Sequence, residues 1–112
     1  MRYWLMKSEP TTYGIDHLVQ DKVTQWEGVR NYQARNFMVK EMAIGDRVLF
    51  YHSNSKPPGI TGLAQVHRLA YPDYFAWDPK SQYFDPRAHP DNPIWQMVDI
   101  KIERKLKQMI SL

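Results

Sequence analysis

Gly45-Asp46-Arg47-Val48-Leu49-Phe50-Tyr51-His52-Ser53-Asn54 is the stretch on which the fold turns. A Gly-Asp turn opens it, four apolar residues follow without a break, and polar residues close it. Such a run between turn formers is the pattern of a strand covered on both faces, which belongs in the interior of a sheet. The segment after it, rich in serine and carrying Asn54, Pro57 and Pro58, reads as a loop up to Gly59. Ile60 to Leu69 then returns as a second strand, in which Gly62 and Ala64 leave room for a bulky group opposite them. Together these segments predict a hairpin with a wide polar tip.

Working outward, Tyr3 to Met6 reads as a short buried strand that ends at Lys7-Ser8-Glu9-Pro10, because proline removes a ladder donor and restricts the residue before it. Thr11 or Thr12 can cap a short helix through Ile15, Leu18 and Val19 that stops near Asp21. Asn31 is the expected N-cap of a helix through Met42, ended by Gly45. Ala34, Phe37 and Met38 share its packing face, while Tyr32, Arg35 and Asn36 fall on the opposite, polar side. Residues 71–93 interleave prolines with Tyr74, Phe75, Trp77, Tyr83 and Phe84, which predicts an ordered loop pinned by rings. From Ile94 a period of two sets Val98, Ile100 and Ile102 against Asp99, Lys101 and Glu103, a strand with one wet face. The order of elements predicts one α+β domain over residues 1–112: a small curved sheet or barrel, mixed or antiparallel, flanked by short helices.

Composition narrows the function classes. A net charge of +3 and a pI near 9.2 suit modest phosphate affinity and exclude a histone-like coat on DNA. The absence of cysteine excludes disulfides, thiol nucleophiles and cysteine-ligated metals. The apolar run within residues 1–6 is far too short for a signal or a membrane span, so no membrane partner is expected. The expected location is the cytoplasm, or the nucleus in a eukaryotic cell.

Catalysis finds little support. His52 and Ser53 are neighbours whose side chains diverge on a strand, and no Gly-x-Ser-x-Gly elbow or phosphate-cradling glycine loop occurs. The four histidines lack zinc-site spacing, and Asp73, Asp78, Asp85 and Asp91 sit in turn contexts where Asp is structural. Neither a metal nor a cofactor is expected. Binding is better supported. Trp26-Glu27-Gly28-Val29-Arg30-Asn31-Tyr32-Gln33-Ala34-Arg35-Asn36 sets a stacking ring beside amides suited to a base edge and guanidinium forks suited to phosphate. If Lys7-Ser8, Trp26 to Arg35 and Tyr51 to Asn54 converge, they form a pocket for a base taken out of its strand, with Lys7, Arg30 or Arg35 on the phosphates. The plainer alternatives make Trp26 and Tyr51 core rings and pair Arg30 with Glu27 on its own turn. They leave His52 on a rim carbonyl and Ser53 as a turn cap.

Tyr-Trp-Leu-Met-Lys-Ser-Glu-Pro at 3–10, the motif at 26–36, the motif at 45–54 and Pro-Pro-Gly-Ile-Thr-Gly-Leu-Ala at 57–64 occur in the order of one known family. Tyr-Pro-Asp at 71–73, Tyr-Phe-Asp-Pro at 83–86 and Trp-Gln-Met-Val-Asp at 95–99 extend the match. On these motifs the whole chain resembles an EVE domain of the PUA-like superfamily, related to the YTH and SRA modified-base readers. The resemblance implies a pseudobarrel that binds DNA or RNA carrying modified bases, above all modified cytosine, without catalysis. It implies Lys7 as a phosphate or backbone contact, Ser8 as a base-edge partner and Trp26 as one wall of a cage. His52 and Ser53, followed by Asn54, would form the opposite rim. Val29, Arg30, Asn31, Tyr32 and Arg35 belong to the family's own motif. Family members run on past an Ile-Ser-Leu segment like that at 110–112 into a helix and a closing strand. The domain is therefore expected to be C-terminally shortened, with an exposed sheet edge prone to dimerisation or aggregation. Two further readings remain open: an RNA-binding PUA-like adaptor that flips no base, and a small nucleotide-acting enzyme using His52.

Overall fold

Among the described residues five strands form one mixed sheet, in the order β1 (Tyr3–Ser8), β3 (Arg47–His52), β4 (Gly59–Pro72), β5 (Gln96–Ile110), β2 (Val23–Gln25). The structure, a computed structural model, describes residues 2–53 and 57–111, so Asn54 and the tip of the expected hairpin lie outside the described residues. Strand β1 (Tyr3–Ser8) runs parallel to β3 (Arg47–His52), with Tyr3 opposite Arg47 and Ser8 opposite His52. Strand β3 is antiparallel to β4 (Gly59–Pro72), β4 to β5 (Gln96–Ile110), and β5 to the short β2 (Val23–Gln25). Several register shifts between β4 and β5 bend this long pair, since each unpaired residue adds local twist. The sheet curves but does not close: β1 and β2 remain its two edges.

The apolar run at 48–51 is an interior strand, as expected, but it is not covered on both faces. Val48 and Phe50 are fully buried, whereas Leu49 and Tyr51 are half-buried on the other side of the pleat. Ile15, Leu18 and Met38 from the helices join Met6, Val48, Phe50, Ala64, Val66, Val98 and Ile100 in a single core cluster. The apolar cover therefore comes to one face. The expectation that β1 is buried is also corrected: as an edge strand it exposes Tyr3 and Leu5 and buries only Met6. Besides its ladder with β3, the Gly-Asp turn holds it. The buried Asp46 carboxylate accepts from the backbone N–H groups of Arg2 and Ala43 and from the Trp4 indole, tying the start of β1 to β3. Those donors keep the Asp46 carboxyl below its ordinary pKa, the Trp4 bond foremost.

The single helix expected after Pro10 is two, α1 (Pro10–Tyr13) and α2 (Ile15–Asp21), divided by an extended Gly14. Thr11 and Thr12 are not the caps, because Pro10 takes the first helical position and moves the start back to Glu9. Ile15 and Leu18 enter the core while Val19 stays exposed. A Cβ on Gly62 would overlap Ile15, so the bulky group facing Gly62 is this isoleucine. Helix α3 (Tyr32–Lys40) starts where expected: the Asn31 side-chain oxygen accepts from Ala34 N–H at 3.0 Å. It stops two residues before Met42. Met38 is buried, but Phe37 is 44% exposed and rests its ring on Trp4 at 6.0 Å. Residues 71–93 are ordered around a 3-10 helix at Tyr74–Trp77 and a small cluster of Ala76, Ala88 and Trp95.

Candidate nucleic-acid interface

A cavity of about 450 Å³ opens where the end of β1, α1, β2, the segment 26–31 and the loop at 82–83 meet. Lys7, Ser8, Trp26, Val29, Arg30 and Asn31 line it, as the sequence suggested, together with Thr12, Tyr13, Thr24, Gln25, Glu27, Gly28, Gln82 and Tyr83. The first corner is local. Ser8 hydroxyl donates to the Tyr13 carbonyl at 2.7 Å, which draws α1 back against the strand it left. Trp26 is set by β2: its N–H donates to the Val98 carbonyl at 2.7 Å, and its ring meets the buried Phe50 edge-on at 5.6 Å. Trp26 packs, half-buried, against the core cluster and is also among the residues that line the cavity. Trp26 is thus partly a core ring and partly a residue of the cavity lining. Burial pushes the Tyr13 hydroxyl up to about 12, so it stays neutral, and it donates to the Asp21 carboxylate at 2.8 Å.

The far wall is long-range. Gly28 has φ +87°, and a Cβ there would overlap the Tyr83 ring, so only glycine lets this ring close against the backbone. Its N–H donates to the carboxylate of Asp73 at 2.9 Å. Asp73 is fully buried and also accepts from Phe75 N–H and from Arg30 at 3.0 Å. Arg30 donates twice to the Tyr83 carbonyl, at 2.7 and 3.2 Å, and once to the Val29 carbonyl. Its guanidinium lies over Tyr83 and Trp95, 5.6 and 5.4 Å from the ring centres. Arg30 therefore closes its ion pair with Asp73, not with Glu27, and its donors hold the wall in place instead of reaching outward for phosphate.

Four residues expected beside the base lie elsewhere. Tyr32 stacks on Trp95 at 4.9 Å, and Arg35 lies over both rings while donating to the Ile94 carbonyl at 2.8 Å. These form a second aromatic-cation cluster outside the cavity. A residue expected on the polar face of α3, Arg35 turns toward this ring pair because the 94–95 turn supplies both an acceptor and a π face. His52 accepts the Ile15 N–H on Nε2 at 3.0 Å, and burial lowers its pKa, which keeps it neutral for that task. Ser53 N–H donates to the Ser8 carbonyl. Neither His52 nor Ser53 lines the cavity, so no opposite rim is built from them; Asn54 lies outside the described residues. The sequence reading missed Tyr13, Glu27 and Tyr83. Glu27 stands inside the motif at 26–36, but a carboxylate three residues before an arginine reads as its ion-pair partner. Among the described residues no cluster of His, Asp or Glu could hold a metal ion, and no helix is long and apolar enough to cross a membrane.

The signature of the EVE domain matches residues 2–112. Thymocyte nuclear protein 1 of Danio rerio is 46% identical over 97% of the chain, which spans 52% of that relative; the Homo sapiens protein of the same name is 43% identical over 98%, spanning 53%. The chain thus spans about half the length of the curated relatives it matches. A hypothetical protein from Leishmania major superposes with a TM-score of 0.96 at 51% identity, over all of this chain and 71% of that one. A crystal structure of human THYN1 in complex with 5-methylcytosine-containing DNA superposes with a TM-score of 0.90 at 41% identity, again over 100% of this chain and 71% of that one. The fold is the α+β pseudobarrel of the PUA-like proteins, and the chain belongs to the EVE domain family.

Proposed function

We propose that the cavity takes up a modified base, of the modified-cytosine type, drawn from a nucleic-acid strand, and that the chain does this without catalysis. The observation that carries the reading is the likeness, over the whole chain, to a protein crystallised with 5-methylcytosine-containing DNA. It is supported by a cavity of about 450 Å³ walled by Trp26, Tyr13 and Tyr83. Trp26 supplies the stacking face, since its backbone is anchored on β5 and its ring is braced by Phe50. The Ser8 hydroxyl has its proton committed to Tyr13, so it offers lone pairs to the base; Asn31, whose oxygen caps α3, offers its amide N–H groups. Lys7, on the cavity lining and 5.8 Å from the Tyr51 ring centre, supplies the cation for the phosphate in this reading. Arg30 contributes shape. A nucleotide-acting enzyme would need His52, which accepts a helix N–H away from the cavity. Self-association is no part of this reading.

Titration of oligonucleotides carrying one modified or one plain cytosine, at fixed salt, tests it. Trp26→Ala should erase the preference and cost about 1 to 3 kcal/mol, the usual worth of a base stacked on a ring. An unchanged preference in that variant would sink the pocket. Equal affinity of the wild-type chain for modified and plain RNA would turn the reading into that of a shape-recognising adaptor.

A further inference from the structure

Glu27 is the one carboxylate among the described residues lining the cavity. It is half-buried, and none of the ion pairs formed by the described residues includes it. Among the described residues its carboxylate accepts only from its own backbone N–H, while the nearby Arg30 directs its donors at Asp73, Val29 and Tyr83. Burial first, and then the negative charge of Asp73, raise its pKa against the opposing pull of Arg30. Its charge reaches the hydroxyls of Tyr13 and Tyr83 on the facing walls. A partly desolvated acceptor on the wall of a binding cavity has an unmet demand for N–H donors.

We propose that Glu27 determines specificity in the cavity by accepting a hydrogen bond from the exocyclic amino group of a cytosine-type base and rejecting thymine and uracil. The proposal rests on the base-uptake reading above. 5-Methylcytosine and thymine share ring, size and methyl group, so stacking on Trp26 does not separate them. They differ at C4, where one carries an amino group and the other an oxygen, and at N3, where one has a lone pair and the other an N–H; a carboxylate set opposite C4 reads the first of these differences. Placed against a carboxylate, the amino group forms a charge-assisted hydrogen bond, whereas the carbonyl sets acceptor against acceptor with neither satisfied.

The test uses single-stranded oligonucleotides with 5-methylcytosine, cytosine, thymine or 5-methyl-2-pyrimidinone at one central position. The last is 5-methylcytosine without its amino group. The wild-type chain should prefer 5-methylcytosine to thymine and to the amine-free base by about 10- to 100-fold, the span of one charge-assisted hydrogen bond. Glu27→Gln, whose amide can turn either a donor or an acceptor to the base, should bring 5-methylcytosine and thymine to near equality. A thermal melt establishes that the variant is folded; if it is not, the wild-type comparison with the amine-free base decides alone. Undiminished discrimination in Glu27→Gln, or equal wild-type affinity for 5-methylcytosine and its amine-free analogue, overturns the role of Glu27. The two readings fail separately. Loss of the wild-type preference for 5-methylcytosine over cytosine removes base uptake itself, and the role of Glu27 with it. That preference, kept alongside equal binding of thymine, removes only Glu27.

Discussion

Arg30 directs all three of its guanidinium nitrogens at protein acceptors, and the acceptor that matters most is a carboxylate with no exposed surface. Removing the cation would leave Asp73 buried beside only backbone donors. Arg30→Ala should therefore destabilise the fold by about 3 to 5 kcal/mol in urea unfolding, the usual cost of stranding a buried charge. Arg30→Lys should recover only part of this, since one ammonium cannot serve Asp73 and the Tyr83 and Val29 carbonyls together. A loss of less than about 1 kcal/mol, the scale of a surface pair, would show that the pair is effectively solvated. The sequence shows an arginine in a motif rich in nucleotide-binding groups. It does not show that Asp73, 43 residues on, turns that arginine inward. Trp26 was legible as a core ring and as a cavity-lining residue because a tryptophan is highly buried on average yet too large to be covered wholly by so small a core. Glu27 was not, because a carboxylate beside an arginine suggests an ion pair that the geometry gives to Asp73.

At the scale of elements, the legible parts were those with a local cause. Asn31 caps α3 because an asparagine followed by helix formers satisfies N–H groups within its own turn. The period of two after Ile94 announced β5, and the glycine at 62 announced a close neighbour. Elements that depend on distant partners were lost: β2 has three residues, too few to show a period, and exists because β5 offers it an edge. The parallel β1 looked buried because an apolar run does not reveal its place in the strand order. Helix α2 lies so close to β4 that Ile15 occupies the space a side chain at 62 would need. Gly62→Ala should lower stability by about 1 to 3 kcal/mol in thermal or urea unfolding, the cost of overfilling a packed contact. Combining it with Ile15→Val, which trims the atom that would overlap most, should cost less than the sum of the two changes. Strict additivity would mean that α2 and β4 simply move apart.

For the molecule as a whole, a net charge of +3 overstates the cation supply at the site. Among the described residues Arg2, Arg30, Arg47, Arg87 and Lys105 are already paired with carboxylates, and of the cations lining the cavity this leaves Lys7 to meet a phosphate. Binding to a single strand should accordingly weaken only gently with salt, with a slope of log affinity against log salt no steeper than about −2. Lys7→Ala should flatten it by about 0.7, the share of one phosphate. A slope of about −4 or steeper would mean that a wider basic surface carries the affinity. The two halves of the cavity also differ in how the chain must close to make them. Ser8 meets Tyr13 across five positions, a loop that closes almost as soon as its strand turns. Gly28 meets Asp73 across 45 positions and Arg30 meets Tyr83 across 53, so the other half waits for an intervening stretch that includes α3, β3 and β4. Loop-closure entropy and contact order place such contacts among the last to form. On the ribosome, the corner made by β1 and α1 can form before the chain that carries Asp73 and Tyr83 has been synthesised. Completion of the cavity is thus a late event in the folding of this protein, reached when the loop after β4 docks.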